Sequence, residues 1–181
     1  MKVAITGKGG VGKTTLSSTL ARLYADEGRT VLAADVDPDA NLGLALGLSQ
    51  QEVDEIVPIS RMKDLAKERT GASDDNKFYK LNPYVADIPE KFARTVNGVK
   101  LLVMGTVDLG VKQVRVVANK VRDEQDEAFV RSAIPAEDLL GIIHYNPEVM
   151  DADRQGKSPY DFSPTAIDEI RKIKAVLDRD A

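Results

Sequence analysis

Cysteine is absent from the 181 residues, and histidine occurs once, at position 144. Without thiols the chain has no disulfide, no soft thiolate metal site and no thiol redox chemistry, and the absence fits a reducing compartment. No apolar run approaches the roughly 20 residues of a membrane span, and the apolar stretch at the start is too short for a signal-peptide core. The expectation is a cytoplasmic protein with no membrane partner. Neither sign of charge dominates: 25 Lys and Arg against 29 Asp and Glu leave a net charge of -4. That balance, with no basic stripe, offers no electrostatic case for nucleic acid. The length is that of one domain, residues 1–181, long enough for a proper core, and no repeat or low-complexity tract interrupts it.

Glycine, by contrast, is concentrated near the start. Residues 7–15 read GKGGVGKTT, and Gly7 to Thr14 fit G-x-x-x-x-G-K-[ST], the spacing that wraps backbone N–H groups around phosphate oxygens. Gly7, Gly9, Gly10 and Gly12 accept positive φ and leave no Cβ in the way, so successive amides face inward as an anion nest. Lys13 supplies a point charge. Thr14 opens a helix whose N-terminal amides and dipole favour a polyphosphate, and its hydroxyl is placed to ligate Mg²⁺. The predicted nucleotide-binding residues are therefore Gly9, Gly10, Val11, Gly12, Lys13, Thr14 and Thr15. Lys8 is a second lysine in a loop that needs only one.

Context supports the motif. Val3 to Thr6 is a short apolar run of the kind that makes a buried parallel strand. After the loop, Leu16, Leu20, Leu23 and Tyr24 recur at helical spacing, and Gly28 stands where a helix C-terminus favours it. Apolar runs predict five strands: Lys2 to Thr6, Thr30 to Asp35, Lys100 to Gly105, Gln113 to Asn119 and Leu139 to His144. The last helix begins at Ser163 as N-cap with Pro164 in the first turn, and Ile167, Ile170, Ile173, Lys174 and Leu177 form its inward stripe. This alternation predicts an α/β fold, a mainly parallel sheet with helices on both faces. Gly71 to Gly98 is the least regular stretch and reads as a surface excursion.

The second strand leaves its apolar run as DVDPDAN, Asp35 to Asn41, at the C-terminal edge where α/β sheets place their ligands. Asp35 and Asp37 are placed to hold Mg²⁺ waters or to orient an attacking water; a plain Asx-Pro turn is the alternative. Asn119 leaves another strand end, where its amide could pair with a base edge or simply serve a loop.

On these residues the chain resembles the deviant P-loop ATPases, the group of septum-site, plasmid-partition, arsenite-transport and nitrogenase iron proteins. Within that group the likeness is to the ATPases that insert nickel during carbon-monoxide dehydrogenase maturation. It is carried by KGGVGKTT (8–15), DVDPDANL (35–42), ISRMKDLAKERTG (59–71), LNPYVADIPEKF (81–92), KLLVMGTVDLG (100–110), NKVR (119–122) and GIIHYNPEVMDADRQGKSPYD (141–161). The resemblance implies ATP or ADP with Mg²⁺, a nucleotide-dependent homodimer and a nickel-enzyme client such as carbon-monoxide dehydrogenase. It implies that Lys8 reaches across the dimer to the partner's phosphates, which would tie transition-state stabilisation to dimerisation. Lys8, Lys13 and Asp37 would then be catalytic, Asp37 by positioning the water. Asp35 would stand in the second shell of Mg²⁺, with Thr14 as ligand, and Asn119 would read adenine.

One departure from that pattern is large. In the family the strand resembling KLLVMGTV is followed by a C-x-C pair, a D-x-x-A-G strand and switch, another strand and a helix. Here about six residues, Val107 to Lys112, lead straight to the next apolar run, whereas a parallel crossover needs roughly a dozen or more. Either the two strands form a hairpin, or a block is missing after Gly110; the matching flanks favour an internal deletion. Without C-x-C there is no thiolate pair for nickel, and His144 reads as a strand-end residue. Without D-x-x-A-G the carboxylate that couples γ-phosphate to a switch is missing, so binding and turnover are separate questions. A chain without that block is also expected to leave the edges of Val3 to Thr6 unpaired and not to fold by itself as an active ATPase. Three readings stay open: a nickel-insertion ATPase, a non-hydrolysing nucleotide-binding module, and a small-molecule kinase or synthetase, against which Lys8 speaks.

Overall fold

Thirteen residues into the chain, the computed structural model begins its first helix, α1 (Lys13–Asp26); in all it describes residues 1–37, 41–71, 84–104 and 114–179. Gly28 ends α1 at φ 79°, a backbone that a side chain would strain. The Gly28 N–H donates to Ala25 O at 2.8 Å and the Arg29 N–H to Tyr24 O at 3.1 Å, pairing carbonyls that the last turn would otherwise leave open. Leu16, Leu20, Leu23 and Tyr24 are all buried, as their spacing predicts.

Strand β1 (Val31–Asp35) follows, then α2 (Leu42–Leu46), α3 (Gln50–Asp54), a single 3-10 turn at Ile59–Arg61, α4 (Lys63–Thr70) and α5 (Ile88–Phe92). Strands β2 (Arg94–Val96) and β3 (Val99–Val103) make a hairpin, and β1 lies parallel to β3 with Val31 opposite Val99 and Asp35 opposite Val103. The remaining elements are β4 (Val116–Val121), α6 (Glu124–Ala133), β5 (Leu139–His144), α7 (Pro147–Arg154), α8 (Pro159–Phe162) and α9 (Pro164–Arg179). Strands β4 and β5 are parallel to each other.

Three expectations change. The strand predicted at Lys2 to Thr6 does not form: residues 1–7 join no ladder, and Val3 is 48% exposed. An apolar run becomes a buried strand only where neighbouring edges take up its N–H and C=O groups. Among the described residues β1 pairs only with β3, and β4 only with β5, so neither sheet extends to it. For the same reason the single sheet expected from the alternation is two sheets among the described residues, ordered β1-β3-β2 and β4-β5. The excursion predicted at Gly71 to Gly98 carries α5 and β2 in its second half, with Ile88 and Val96 buried; its residues 72–83 lie outside the described residues. Among the described residues β3 and β4 belong to different sheets, so they do not pair as the hairpin alternative required. Gly110 and the residues around it, 105–113, lie outside the described residues.

Helix α1 ties the two sheets together. On one side Ala21 joins Leu42, Leu46, Val99 and Leu101 in a core over the β1-β3-β2 sheet. On the other, Leu16, Leu20 and Leu23 join Ile143, Ile167, Ile170 and Ile173, where α9 covers β5. Ile170 is fully buried, and burying such a side chain contributes about 1.5–3 kcal/mol. Ser163 caps α9 as predicted: its carbonyl accepts the Ile167 N–H at 3.1 Å and its hydroxyl the Ala166 N–H at 3.4 Å. Lys174 is buried on the same stripe, and its ammonium donates to Glu27 at 2.7 Å and Asp178 at 2.8 Å. Among the described residues no helix is long and apolar enough to cross a membrane.

Candidate functional site

Gly12 is the N-cap of α1 and takes left-handed backbone at φ 89°, which leads the glycine loop into the helix; the Leu16 N–H returns to Gly12 O at 3.1 Å. Gly10 is also left-handed, at φ 73°. Lys13, the first helical residue, directs its ammonium back over the loop to Lys8 O at 3.4 Å. Thr14 and Thr15 occupy the first turn of α1. The loop residues Gly10, Gly12, Lys13, Thr14 and Thr15 line a cleft of about 610 Å³, within the usual range for small-molecule sites. Its opposite wall is the C-terminal end of the β4-β5 sheet, from Asn119 and Lys120 to His144 and Asn146. This is the strand end where open α/β sheets bind ligands.

The sequence-predicted residues divide into three groups. Gly10, Gly12, Lys13, Thr14, Thr15 and Asn119 are brought together around the cleft. Asn119 Nδ2 donates to Val11 O at 2.8 Å, and its Oδ1 accepts the Lys120 N–H at 2.8 Å. Gly9, Val11 and Lys8 are exposed and do not line the cleft, and among the described residues the Lys8 ammonium makes no hydrogen bond or ion pair. Asp35 and Asp37 stand at the end of β1, but Asp35 is already committed to its own turn. Its carboxylate accepts the Asp37 N–H at 3.1 Å and the Leu42 N–H at 3.0 Å. Burial pushes the Asp35 carboxyl above the usual range, and the two backbone N–H bonds oppose that shift. Asp37 is exposed; residues 38–40 beyond it lie outside the described residues.

His144 ends β5, as its reading as a strand-end residue expects. Its Nδ1 lies 2.6 Å from Glu169 Oε1 and its backbone N–H donates to Glu169 Oε2 at 3.0 Å, which fastens the strand end to α9. Asn146 Nδ2 donates to Ser163 Oγ at 2.7 Å, and Asn146 Oδ1 accepts the Glu148 N–H at 2.8 Å, shaping the turn into α7. Sequence reasoning did not single out Lys120 or Asn146. Lys120 enters only within NKVR (119–122), as a second polar residue directly after Asn119, and alternation along a strand would send it to the other face.

A nucleotide fits this chemistry. Left-handed Gly12 lets the Asn119 side chain approach the loop closely: a Cβ on Gly12 would stand 2.1 Å from Asn119 Nδ2. Lys13 and the first turn of α1 offer the charge and amides that suit phosphate. Among the described residues no group of three or more His, Cys, Asp or Glu is arranged to hold a metal ion.

The chain is 33% identical to the carbon monoxide dehydrogenase accessory protein CooC of Rhodospirillum rubrum, over 252 aligned positions covering 98% of this chain and 96% of that protein. An uncharacterized ATP-binding protein of Methanocaldococcus jannaschii is 30% identical over 252 positions, covering 96% of each. Both alignments are longer than this chain: 252 positions less 181 residues leaves at least 71 that are gaps here, inside the aligned span. Among solved structures, the MinD cell division protein of Aquifex aeolicus matches with a TM-score of 0.55 at 18% identity, over 98% of this chain and 95% of that one. The fold is thus the α/β P-loop nucleotide-hydrolase fold in its MinD-like form, and residues 2–160 match the CobQ/CobB/MinD/ParA nucleotide binding domain. The chain belongs to that CobQ/CobB/MinD/ParA family.

Proposed function

We propose that this chain binds Mg·ATP between the glycine loop and the end of the β4-β5 sheet, and serves in the cytoplasm as a maturation factor for a nickel enzyme of the carbon-monoxide dehydrogenase kind. The observation that carries the proposal is the near full-length likeness to CooC, joined to a phosphate loop that forms one wall of the cleft. Residues Gly9 to Thr15 would hold the phosphates, with Lys13 as the charge and Thr14 as the Mg²⁺ ligand. Bound Mg²⁺ would supply neutralisation of phosphate charge. Asp35 would act on the Mg²⁺ shell through water while each of its oxygens accepts one backbone N–H of its own turn. Lys8, exposed and with an ammonium that makes no hydrogen bond or ion pair among the described residues, would deliver its charge to the phosphates of a second copy in a nucleotide-dependent dimer. The whole of residues 1–181 would act as one nucleotide-binding domain.

Binding and turnover separate in this chain. At least 71 aligned positions have no counterpart here, and the sequence contains neither the C-x-C pair nor the D-x-x-A-G segment. Those absences favour a second reading, a nucleotide-binding module that does not hydrolyse and hands no metal on through its own thiolates. Calorimetry with Mg·ATP tests the common core of both: the wild-type chain binds and Lys13→Ala does not. A folded wild-type chain that takes up no adenine nucleotide would overturn both. Phosphate release then divides them, and restoration of carbon-monoxide dehydrogenase activity in a host lacking its own accessory protein tests the client.

A further inference from the structure

Strand β4 carries a register shift between Asn119 and Val121, so that Asn119 pairs with Ile143 and Val121 with His144, leaving Lys120 as the extra residue. Lys120 takes φ 63°, left-handed backbone that is uncommon for a residue with a long side chain. In a regular strand, consecutive side chains leave opposite faces. Here both reach the same loop. Lys120 Nζ donates to Gly10 O at 2.7 Å, and Asn119 Nδ2 donates to Val11 O at 2.8 Å. The bulge is what allows two neighbouring side chains to grip two neighbouring carbonyls.

That grip bears on phosphate. A peptide unit is planar and trans, so the C=O of one residue and the N–H of the next point in opposite directions. Holding Gly10 O and Val11 O toward β4 therefore sets where the N–H groups of Val11 and Gly12 point. These are glycine-loop amides, in a stretch where Gly10 and Gly12 would otherwise be free to rotate. Both ends of the Asn119 side-chain amide are also in use, one on Val11 O and the other on the Lys120 N–H.

We infer that Asn119 and Lys120 are positioning residues for the phosphate loop, which the β4 bulge aims together at the Gly10 and Val11 carbonyls, and that their contribution to nucleotide binding is made at the phosphates. The inference rests on the reading of this loop as a nucleotide site and changes the role of Asn119 within it. A base-reading asparagine discriminates adenine; a loop brace acts equally on any ligand that presents the same phosphates.

The test titrates the full chain and its Asn119→Ala, Lys120→Met and Lys120→Arg variants with Mg·ATP and, separately, with magnesium tripolyphosphate, which has no base. Amide spectra of the ligand-free proteins are recorded alongside, so that folding and loop conformation are read in the same samples. Loss of the neutral Asn119 hydrogen bond corresponds to about a two- to tenfold weakening, and loss of the charge-assisted Lys120 bond to about tenfold or more. Asn119→Ala and Lys120→Met should weaken both ligands by the same factor, Lys120→Arg should restore most of the loss, and the Val11 and Gly12 amide signals should move before any ligand is added. A loss confined to ATP, with tripolyphosphate unaffected, would return Asn119 to base reading and overturn the inference. So would unmoved Val11 and Gly12 signals in folded Lys120→Met. A wild-type chain that binds neither ligand overturns the nucleotide reading itself, and the inference with it.

Discussion

Gly12→Ala strikes the phosphate loop at its most constrained point, and two separable costs can be worked from the structure. Gly12 sits at φ 89°, and an L-side chain in left-handed backbone costs about 1–2 kcal/mol. The new Cβ would stand 2.1 Å from Asn119 Nδ2, far inside van der Waals contact. Asn119 must withdraw by more than an ångström, and its 2.8 Å bond to Val11 O does not survive such a move. Losing that bond adds about 0.5–1.5 kcal/mol, for a total of about 1.5–3.5 kcal/mol. In an Asn119→Ala background there is no amide to displace, so only the backbone cost remains. Urea unfolding of the wild type, both single variants and the double variant measures the difference. The coupling should equal the lost bond, about 0.5–1.5 kcal/mol, against an additivity error of about 0.3–0.5 kcal/mol. If Gly12→Ala costs the same in both backgrounds, Asn119 does not lie against Gly12 and the described loop geometry is wrong.

Lys8→Ala should leave the affinity of the single chain for Mg·ATP unchanged while reducing nucleotide-dependent dimerisation in sedimentation; an equal loss of monomer affinity would make Lys8 a ligand within its own subunit. Amides of Val3 to Thr6, which join no ladder, should exchange with solvent at the earliest labelling times, and protection there comparable to β3 would refute the open edge described above. Lys91 and Arg69 beside Asp87 hold its carboxyl down from 3.8 to about 2. Because that folded-state value is depressed, the stabilisation is complete above the unfolded value of 3.8 and is lost as pH falls through about 2. Acid titration of stability should therefore show a decline between pH 4 and 2 that is smaller in Asp87→Asn; identical profiles would remove the pairing from the account.

The sequence by itself determined the features whose physics is local. The cap at Ser163, the stripe from Ile167 to Leu177, the glycine stop at Gly28 and the phosphate loop from Gly7 to Thr15 all follow from spacing and backbone preference within a few residues. The strands at β1, β3 and β5 were legible for the same reason, to within two residues at their ends. Whether an apolar run becomes a strand is another matter, because its backbone groups must be met by another segment of chain. Val3 to Thr6 reads as a strand but lacks a paired edge beside it, and only the tertiary structure shows that the sheet divides into two, with α1 packed against both. The roles of Asp35 and Lys120 were equally non-local. Asp35 looks in the sequence like a free carboxylate for Mg²⁺, yet folding brings the Leu42 N–H to its oxygen across seven residues of chain. Lys120 lies in NKVR (119–122), which assigns it no role; a bulge set by the pairing of β4 with β5 brings it to a carbonyl 110 residues away. Composition and periodicity report what a segment can do with its own neighbours, and contacts closed by pairing and packing are decided only when distant segments meet.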